Sequence, residues 1–293
     1  MTVMTNNGSI DGVDVAGLLG IPISAEQERA VRAPLDPCVV IAGAGTGKTT
    51  VMAARVVWLV ASGLVSPEEI LGLTFTNKAT MELSERIESN LTRVGLLKPD
   101  QPRPTVATYD SFAGTLVGDY GAWDGINTGA HLMTGARAYQ LASEVVVGLD
   151  KAPLAATHLG PTPIAQAVVK LAAAMASHDA SPDEVRKADA RWRQMLLDAP
   201  TKKGGGRYAD IDTWLSRVDE REEFLELVAA YQELKKERGL VEFGDRMVQA
   251  LHLVTHHPRV GEELRARYRV VLLDEYQDTS SAQADVLAAL FSG

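Results

Sequence analysis

The segment Ala42-Gly-Ala-Gly-Thr-Gly-Lys48-Thr49 constrains this chain more than any other. Gly43, Gly45 and Gly47 alternate with small residues ahead of a lysine and a threonine. Glycine tolerates backbone conformations that other residues avoid, so such a loop can turn several N–H groups toward one anion. The apolar run Cys38-Val-Val-Ile-Ala42 before it predicts a strand. Met52, Val56 and Leu59, at spacings of four and three, predict a helix after it, with its positive end toward the loop. In that order the parts make a phosphate cradle, with Lys48 reaching the β- and γ-phosphates and Thr49 ligating Mg²⁺. The strict pattern opens with glycine, and Ala42 takes that place here. The bland alternative is a glycine-rich turn with an incidental lysine, and the flanking strand and helix speak against it.

A second apolar run, Arg269-Val-Val-Leu-Leu273, delivers Asp274-Glu275 at its carboxyl end, where open α/β sheets bind ligands. Asp274 is suited to holding Mg²⁺ and Glu275 to polarising an attacking water. Alone, an acidic pair after a strand is a solvated strand end. With a phosphate loop in the same chain it predicts nucleoside triphosphate hydrolysis.

Between these motifs the pattern changes twice. Runs at Ile70–Phe75 and Thr105–Thr108 precede helices expected near Lys78–Val94 and Ser111–Tyr120. Short apolar runs alternating with helices predict a parallel α/β sheet. From Thr134 to Thr255 the chain reads as helices. Ile164, Val168, Leu171 and Met175 make one stripe, and Phe224, Leu227, Val228, Tyr231 and Leu234 another, each a face for helix-on-helix packing. Lys202-Lys-Gly-Gly-Gly-Arg-Tyr208 reads as a basic, flexible loop. The fold expected is therefore α/β, a P-loop domain interrupted by an all-helical insertion.

Net charge is -9 over 293 residues, with 46% hydrophobic composition. That suits a globular core. An acidic balance argues weakly against nucleic-acid binding, although a basic channel can sit in an acidic protein. Cys38 is the single cysteine, which excludes an internal disulfide and suits a reducing compartment. Met1–Gly20 has neither the basic nor the apolar region of a secretory signal, and no apolar run is long enough to span a bilayer. A cytoplasmic protein with a mobile tail over 1–20 is expected, with no membrane partner.

Asp274-Glu-Tyr-Gln-Asp-Thr-Ser280 resembles the DEFQDT/DEYQDT signature of superfamily 1 DNA helicases of the UvrD/Rep/PcrA/RecB type. Four further stretches follow that family's order. Ile23-Ser-Ala-Glu-Gln27 resembles its Q motif, in which the glutamine reads the adenine edge. Thr74-Phe-Thr-Asn-Lys-Ala79 is similar to TFTNKAA. Thr108-Tyr-Asp-Ser-Phe112 stands where the family has T-x-H-S-F, with Asp110 for the histidine, and Glu242-Phe-Gly-Asp245 where it has D-F-x-D.

The resemblance implies an ATP and Mg²⁺ site built from Gln27, Ala44, Gly45, Thr46, Gly47, Lys48, Thr49, Thr50, Asp274 and Gln277. Lys48, Asp274 and Glu275 would be catalytic there, with Thr49 and Asp274 on the metal. It implies DNA contacts at Thr74, Phe75, Thr76, Asn77, Lys78, Thr108, Ser111 and Phe112. A direct contact from Asp110 is not expected, because a carboxylate repels phosphate. Single-stranded and duplex-junction DNA would be the partners. It also implies a RecA-like domain 1A over 21–120, a helical subdomain 1B over 121–238, and a return to 1A over 239–293. Met52–Leu59, Leu71–Thr76 and Val271–Ser280 look most like the AdnA-type subunit of a helicase–nuclease, which would bring a second subunit.

Family members continue past this length, with a further strand motif and a second RecA-like domain supplying arginine fingers. Such arginines contribute about 10³–10⁵ in rate. The 293 residues alone are therefore expected to turn ATP over slowly or not at all. Two competing functions remain open: a non-motor DNA- or partner-binding module of a helicase–nuclease complex, and a P-loop ATPase indifferent to DNA.

Overall fold

In this computed structural model the described residues are 14–43, 45–149, 151, 153, 155, 158–202 and 205–292. Ala44, Lys203, Gly204 and positions 1–13 of the expected tail lie outside them. In chain order the regular elements are α1 (Val15–Leu19), α2 (Ala25–Val31), α3 (Lys48–Ala61), β1 (Ile70–Thr74), α4 (Asn77–Arg93), β2 (Thr105–Thr108), α5 (Tyr109–Tyr120), β3 (His131–Leu132), α6 (Gly135–Val147), α7 (Pro161–Ser177), α8 (Pro182–Leu197), α9 (Ala209–Glu237), β4 (Leu240–Val241), α10 (Phe243–His256), α11 (Pro258–Arg267), β5 (Val270–Leu273) and α12 (Ser281–Phe291). Among the described residues no helix is long and apolar enough to cross a membrane.

The described residues form two compact units. One comprises 14–112 and 258–279, the other 113–257 and 280–292. These limits differ from the expected boundaries at 120 and 238: α5 begins in the first unit and ends in the second, and α10 and α12 belong to the second.

The first unit is built on a parallel sheet of order β2-β1-β5. Leu71 pairs with Thr105 on one side of β1 and with Val271 on the other. Flanked on both edges, β1 is buried along its whole length, as the apolar run Ile-Leu-Gly-Leu requires. Helix α4 starts where the Thr76 hydroxyl accepts from the Ala79 N–H, and it lays Leu83, Ile87 and Leu91 on the core. Helix α3 contributes Val56, Val57 and Leu59 to the same core.

Two expectations are corrected here. Cys38–Ala42 is not a strand, although it leads into the loop as foreseen. Val39 is 84% and Ile41 95% exposed. A strand is defined by its ladder, and among the described residues β5 is paired only with β1, so this run has no partner strand. The tail expected over 1–20 is not irregular at its end: Val15 and Leu19, one helical turn apart, are buried in the core through α1.

The second unit is helical, with a minimal parallel pair β3–β4. Both apolar stripes read in the sequence meet in its core, where Ile164, Val168, Leu227, Val228 and Tyr231 are buried. Lys235 is buried with them, its ammonium 2.9 Å from Glu242 Oε2 and 2.7 Å from Asp245 Oδ2. Tyr231 O–H donates to the same Glu242 oxygen at 3.0 Å. Glu242 and Asp245 also form the box that starts α10. Burial and these two carboxylates push the Tyr231 hydroxyl well above the ordinary tyrosine range.

Candidate functional site

The loop before α3 has the conformation its glycines allow. Gly45 (φ 75°) and Gly47 (φ 86°) lie in the left-handed region, whereas Gly43 does not. Gly47 is the N-cap of α3, so Lys48, Thr49 and Thr50 occupy its first turn with their N–H groups free of earlier helical carbonyls. The Thr46 hydroxyl donates to the Gly43 carbonyl at 2.8 Å and closes the loop. Gln27 Nε2 donates to the Thr46 carbonyl at 3.0 Å, which brings the Q-motif residue to the loop. Thr50 accepts from Arg86 of α4 at 2.7 Å.

Opposite stands the carboxyl end of β5. The Asp274 N–H donates to the Leu73 carbonyl at 2.9 Å and continues the ladder by one residue. Glu275 then turns into the left-handed region (φ 48°), which costs a non-glycine residue about 1–2 kcal/mol. Its carboxylate sits 3.3 Å from Lys48 Nζ and accepts from Gln277 Nε2. The hydrogen bond from Gln277, then that from Lys48, hold the Glu275 carboxyl below the usual range. Asp274 goes the other way: burial, then the Glu275 charge, raise it against the pull of Lys48. A half-buried carboxyl with raised affinity for a proton is a place where a cation relieves an energetic cost.

The donor set fits Mg²⁺. The Asp274 carboxylate and the Thr49 hydroxyl are hard oxygen donors, and Mg²⁺ is held by one or two carboxylates with waters and phosphate oxygens. No group of three His, Cys, Asp or Glu side chains suited to a metal exists among the described residues. A metal shared with phosphate needs no such group.

The expected DNA contacts divide by burial. Asn77, Lys78, Thr76 and Ser111 are exposed. Phe75 is partly exposed and packs on Tyr109, with ring centroids 4.9 Å apart. Thr108 accepts from the Ser111 N–H at 3.0 Å and so starts α5. Thr74 and Phe112 are corrected. Thr74 is fully buried at the end of the central strand, its hydroxyl 2.6 Å from that of Thr80, and Phe112 is 6% exposed. Neither leaves a face for a nucleic-acid strand. Tyr109, which the sequence reading passed over, donates to the Asp274 carbonyl at 3.3 Å, and burial pushes its hydroxyl up to about 12. It joins the Phe75 surface to the acidic end of β5. Its signal was an aromatic directly after an apolar strand.

In the basic loop, Lys202 Nζ lies 5.6 Å from the Tyr208 ring centroid, and the Lys202 N–H donates to the Gly206 carbonyl.

The chain is similar to DNA helicase II of Rickettsia typhi, 26% identical over 275 residues, covering 92% of this chain and 36% of that protein. It is 28% identical over 272 residues to DNA helicase II of Haemophilus influenzae, covering 92% and 32%. It is 26% identical over 284 residues to the ATP-dependent DNA helicase UvrD1 of Mycobacterium tuberculosis, covering 97% and 32%. The chain thus spans about a third of the length of these relatives. The family described as the UvrD/REP helicase N-terminal domain matches residues 23–293, a span that includes the loop before α3 and the acidic end of β5, and the chain belongs to that family.

Proposed function

We propose that this chain is the ATP- and DNA-binding N-terminal part of an ATP-dependent DNA helicase that translocates on single-stranded DNA in repair or recombination. The observation that carries the reading is the approach of Lys48 to Glu275 at 3.3 Å, across a left-handed glycine loop and beside a half-buried Asp274. The phosphates of ATP would lie on the N–H groups of the loop and of the first turn of α3, where a helix N-terminus favours negative charge. Lys48 would leave Glu275 for the β- and γ-phosphates. Bound Mg²⁺, held by Thr49 and Asp274, would neutralise phosphate charge. Glu275, released from Lys48, would orient and deprotonate the attacking water, with Gln277 holding its carboxylate.

The DNA strand would run over Phe75, Thr76, Asn77, Lys78 and Ser111. Phe75 offers a ring face to a base and Lys78 a charge to phosphate. Segments 121–238 and 239–293 would correspond to subdomain 1B and the returning part of 1A. The finer likeness to AdnA-type subunits rests on Met52–Leu59, Leu71–Thr76 and Val271–Ser280, and a second subunit belongs to that reading.

The test is ATP turnover with and without single-stranded DNA in the full-length protein, its Lys48→Ala variant and its Glu275→Gln variant. DNA-stimulated turnover lost in both supports the assignment. Turnover indifferent to DNA would place the chain among P-loop ATPases of another kind.

A further inference from the structure

Arg55 lies in α3, seven residues after Lys48 and so within about 20° of the same helix face, about 10 Å along the axis. It is 8% exposed. Buried charges are ordinarily met by an opposite charge. The guanidinium here meets backbone oxygens. Nη1 donates to the carbonyls of Val31 at 3.0 Å and Ala33 at 2.7 Å, with Ala30 at 3.4 Å, and Nη2 donates to that of Pro34 at 2.9 Å. These carbonyls are the carboxyl end of α2 and the chain leaving it.

Helix α2 has seven residues, too few to hold itself in place. It is secured at both ends. At the amino end Gln27 closes the capping box with Ser24, and its amide nitrogen donates to the Thr46 carbonyl of the phosphate loop. At the carboxyl end the helix carries orphan carbonyls and a partial negative charge, which the planar fork of Arg55 satisfies. The phosphate loop and the helix bearing Gln27 are thereby tied together twice, once by Gln27 and once by Arg55.

We infer that Arg55 is a positioning residue for base selection: by clamping the carboxyl end of α2 to α3, it holds the Gln27 amide at the phosphate loop in register for the adenine edge. This rests on the reading of Gln27 as the adenine-contacting residue. It predicts a separation of effects. Loosening the clamp spoils discrimination between bases and leaves the phosphate cradle, built by the loop and Lys48, in place. A side chain that only stabilised the core would weaken all nucleotides alike or none.

The experiment compares wild type, Gln27→Ala, Arg55→Lys and Arg55→Gln. Binding of Mg²⁺–ATP, Mg²⁺–GTP and inorganic tripolyphosphate is measured for each, with cooperative thermal unfolding to select the Arg55 variant that stays folded. Arg55→Lys keeps the charge but loses the fork, and Arg55→Gln keeps short donors but loses the charge. The expected result is an ATP-over-GTP preference in wild type that falls about 10-fold in Gln27→Ala and in the folded Arg55 variant, the worth of about one well-made hydrogen bond. In the folded Arg55 variant, tripolyphosphate affinity should stay within about 2-fold of wild type, well under the loss of one hydrogen bond. A folded Arg55 variant with the wild-type preference overturns the inference, as does equal loss for all three ligands. A preference that survives Gln27→Ala overturns the reading of Gln27 itself, and the inference with it.

Discussion

Lys48 Nζ stands 3.3 Å from Glu275 Oε1, so the lysine proposed to reach phosphate is held by the carboxylate proposed to polarise water. The pair links the first turn of α3 to the end of β5. On the proposed reading, bound nucleotide would break it. Glu275→Gln removes the competing charge, so Mg²⁺–ATP affinity should rise a few-fold while turnover falls by at least about 100-fold, the range of a lost general base. Titration with a fluorescent ATP analogue and a phosphate-release assay on the same variant check this. Unchanged turnover would remove Glu275 from the chemistry.

The two carboxyls at the end of β5 are shifted in opposite directions, which sets a pH dependence. In the proposed site Asp274 would have to be ionised to hold Mg²⁺, and burial with the Glu275 charge raises its pKa. As pH falls, Mg²⁺-dependent nucleotide binding should therefore be lost at a higher pH than an ordinary aspartate allows. Glu275→Gln takes away one of the raising charges, so the acid limb should move to lower pH. A limb that stays in place, or moves upward, contradicts the electrostatic assignment. The same signs govern stability. The raised Asp274 opposes folding at neutral pH, and that opposition eases as pH falls through its folded pKa. The lowered Glu275 adds stability above its unfolded pKa and loses it in acid.

Phe75 and Phe112 are aromatic residues of neighbouring motifs with different surroundings. Phe75 is partly exposed and rests on Tyr109, whereas Phe112 is buried. Phe75→Ala should weaken single-stranded DNA binding by about 1–3 kcal/mol, the worth of one stacked base, with little loss of stability. Phe112→Ala should lower unfolding free energy by about 3 kcal/mol or more. Urea denaturation and oligonucleotide anisotropy on both variants separate the two. Weaker DNA binding by a fully stable Phe112→Ala would reverse the correction.

Lys235 is buried between Glu242 and Asp245, and its removal leaves two carboxylates facing each other at the start of α10. Lys235→Met should destabilise by about 3 kcal/mol, the low end for a broken buried pair because both carboxylates are partly exposed. Chemical denaturation measures it. A loss below about 1 kcal/mol would mean that water reaches the cluster and screens it.

Much of this was legible in the sequence because the signals were local. β2 lies at 105–108 as expected, β1 and β5 are shifted by a residue at one end, and α4 by one at each end, since each is a short apolar run or a periodic helix bounded by polar caps. The glycine-rich loop and the acidic pair were readable as motifs, whereas their meeting, at Lys48 and Glu275, is set by the tertiary structure. What escaped depends on distant partners. Cys38–Ala42 has strand composition, but a strand needs a neighbour. Thr74 and Phe112 look like Phe75 and Ser111 in a motif, and only the fold tells buried from exposed. Arg55 and Lys235 read as ordinary charged positions on helices, because what they bind, carbonyls of α2 and carboxylates of α10, is set by tertiary structure. A basic residue seven positions after Lys48, amid Ala53, Ala54, Val56 and Val57, was the one hint.

The most direct test of the central claim is equilibrium binding of ATP to the purified chain with and without Mg²⁺, beside Lys48→Ala. Mg²⁺-dependent binding that drops by at least about 10-fold in Lys48→Ala, the worth of a charge-assisted hydrogen bond to phosphate, is the predicted result. Binding indifferent to both the metal and Lys48 would contradict the nucleotide site described here.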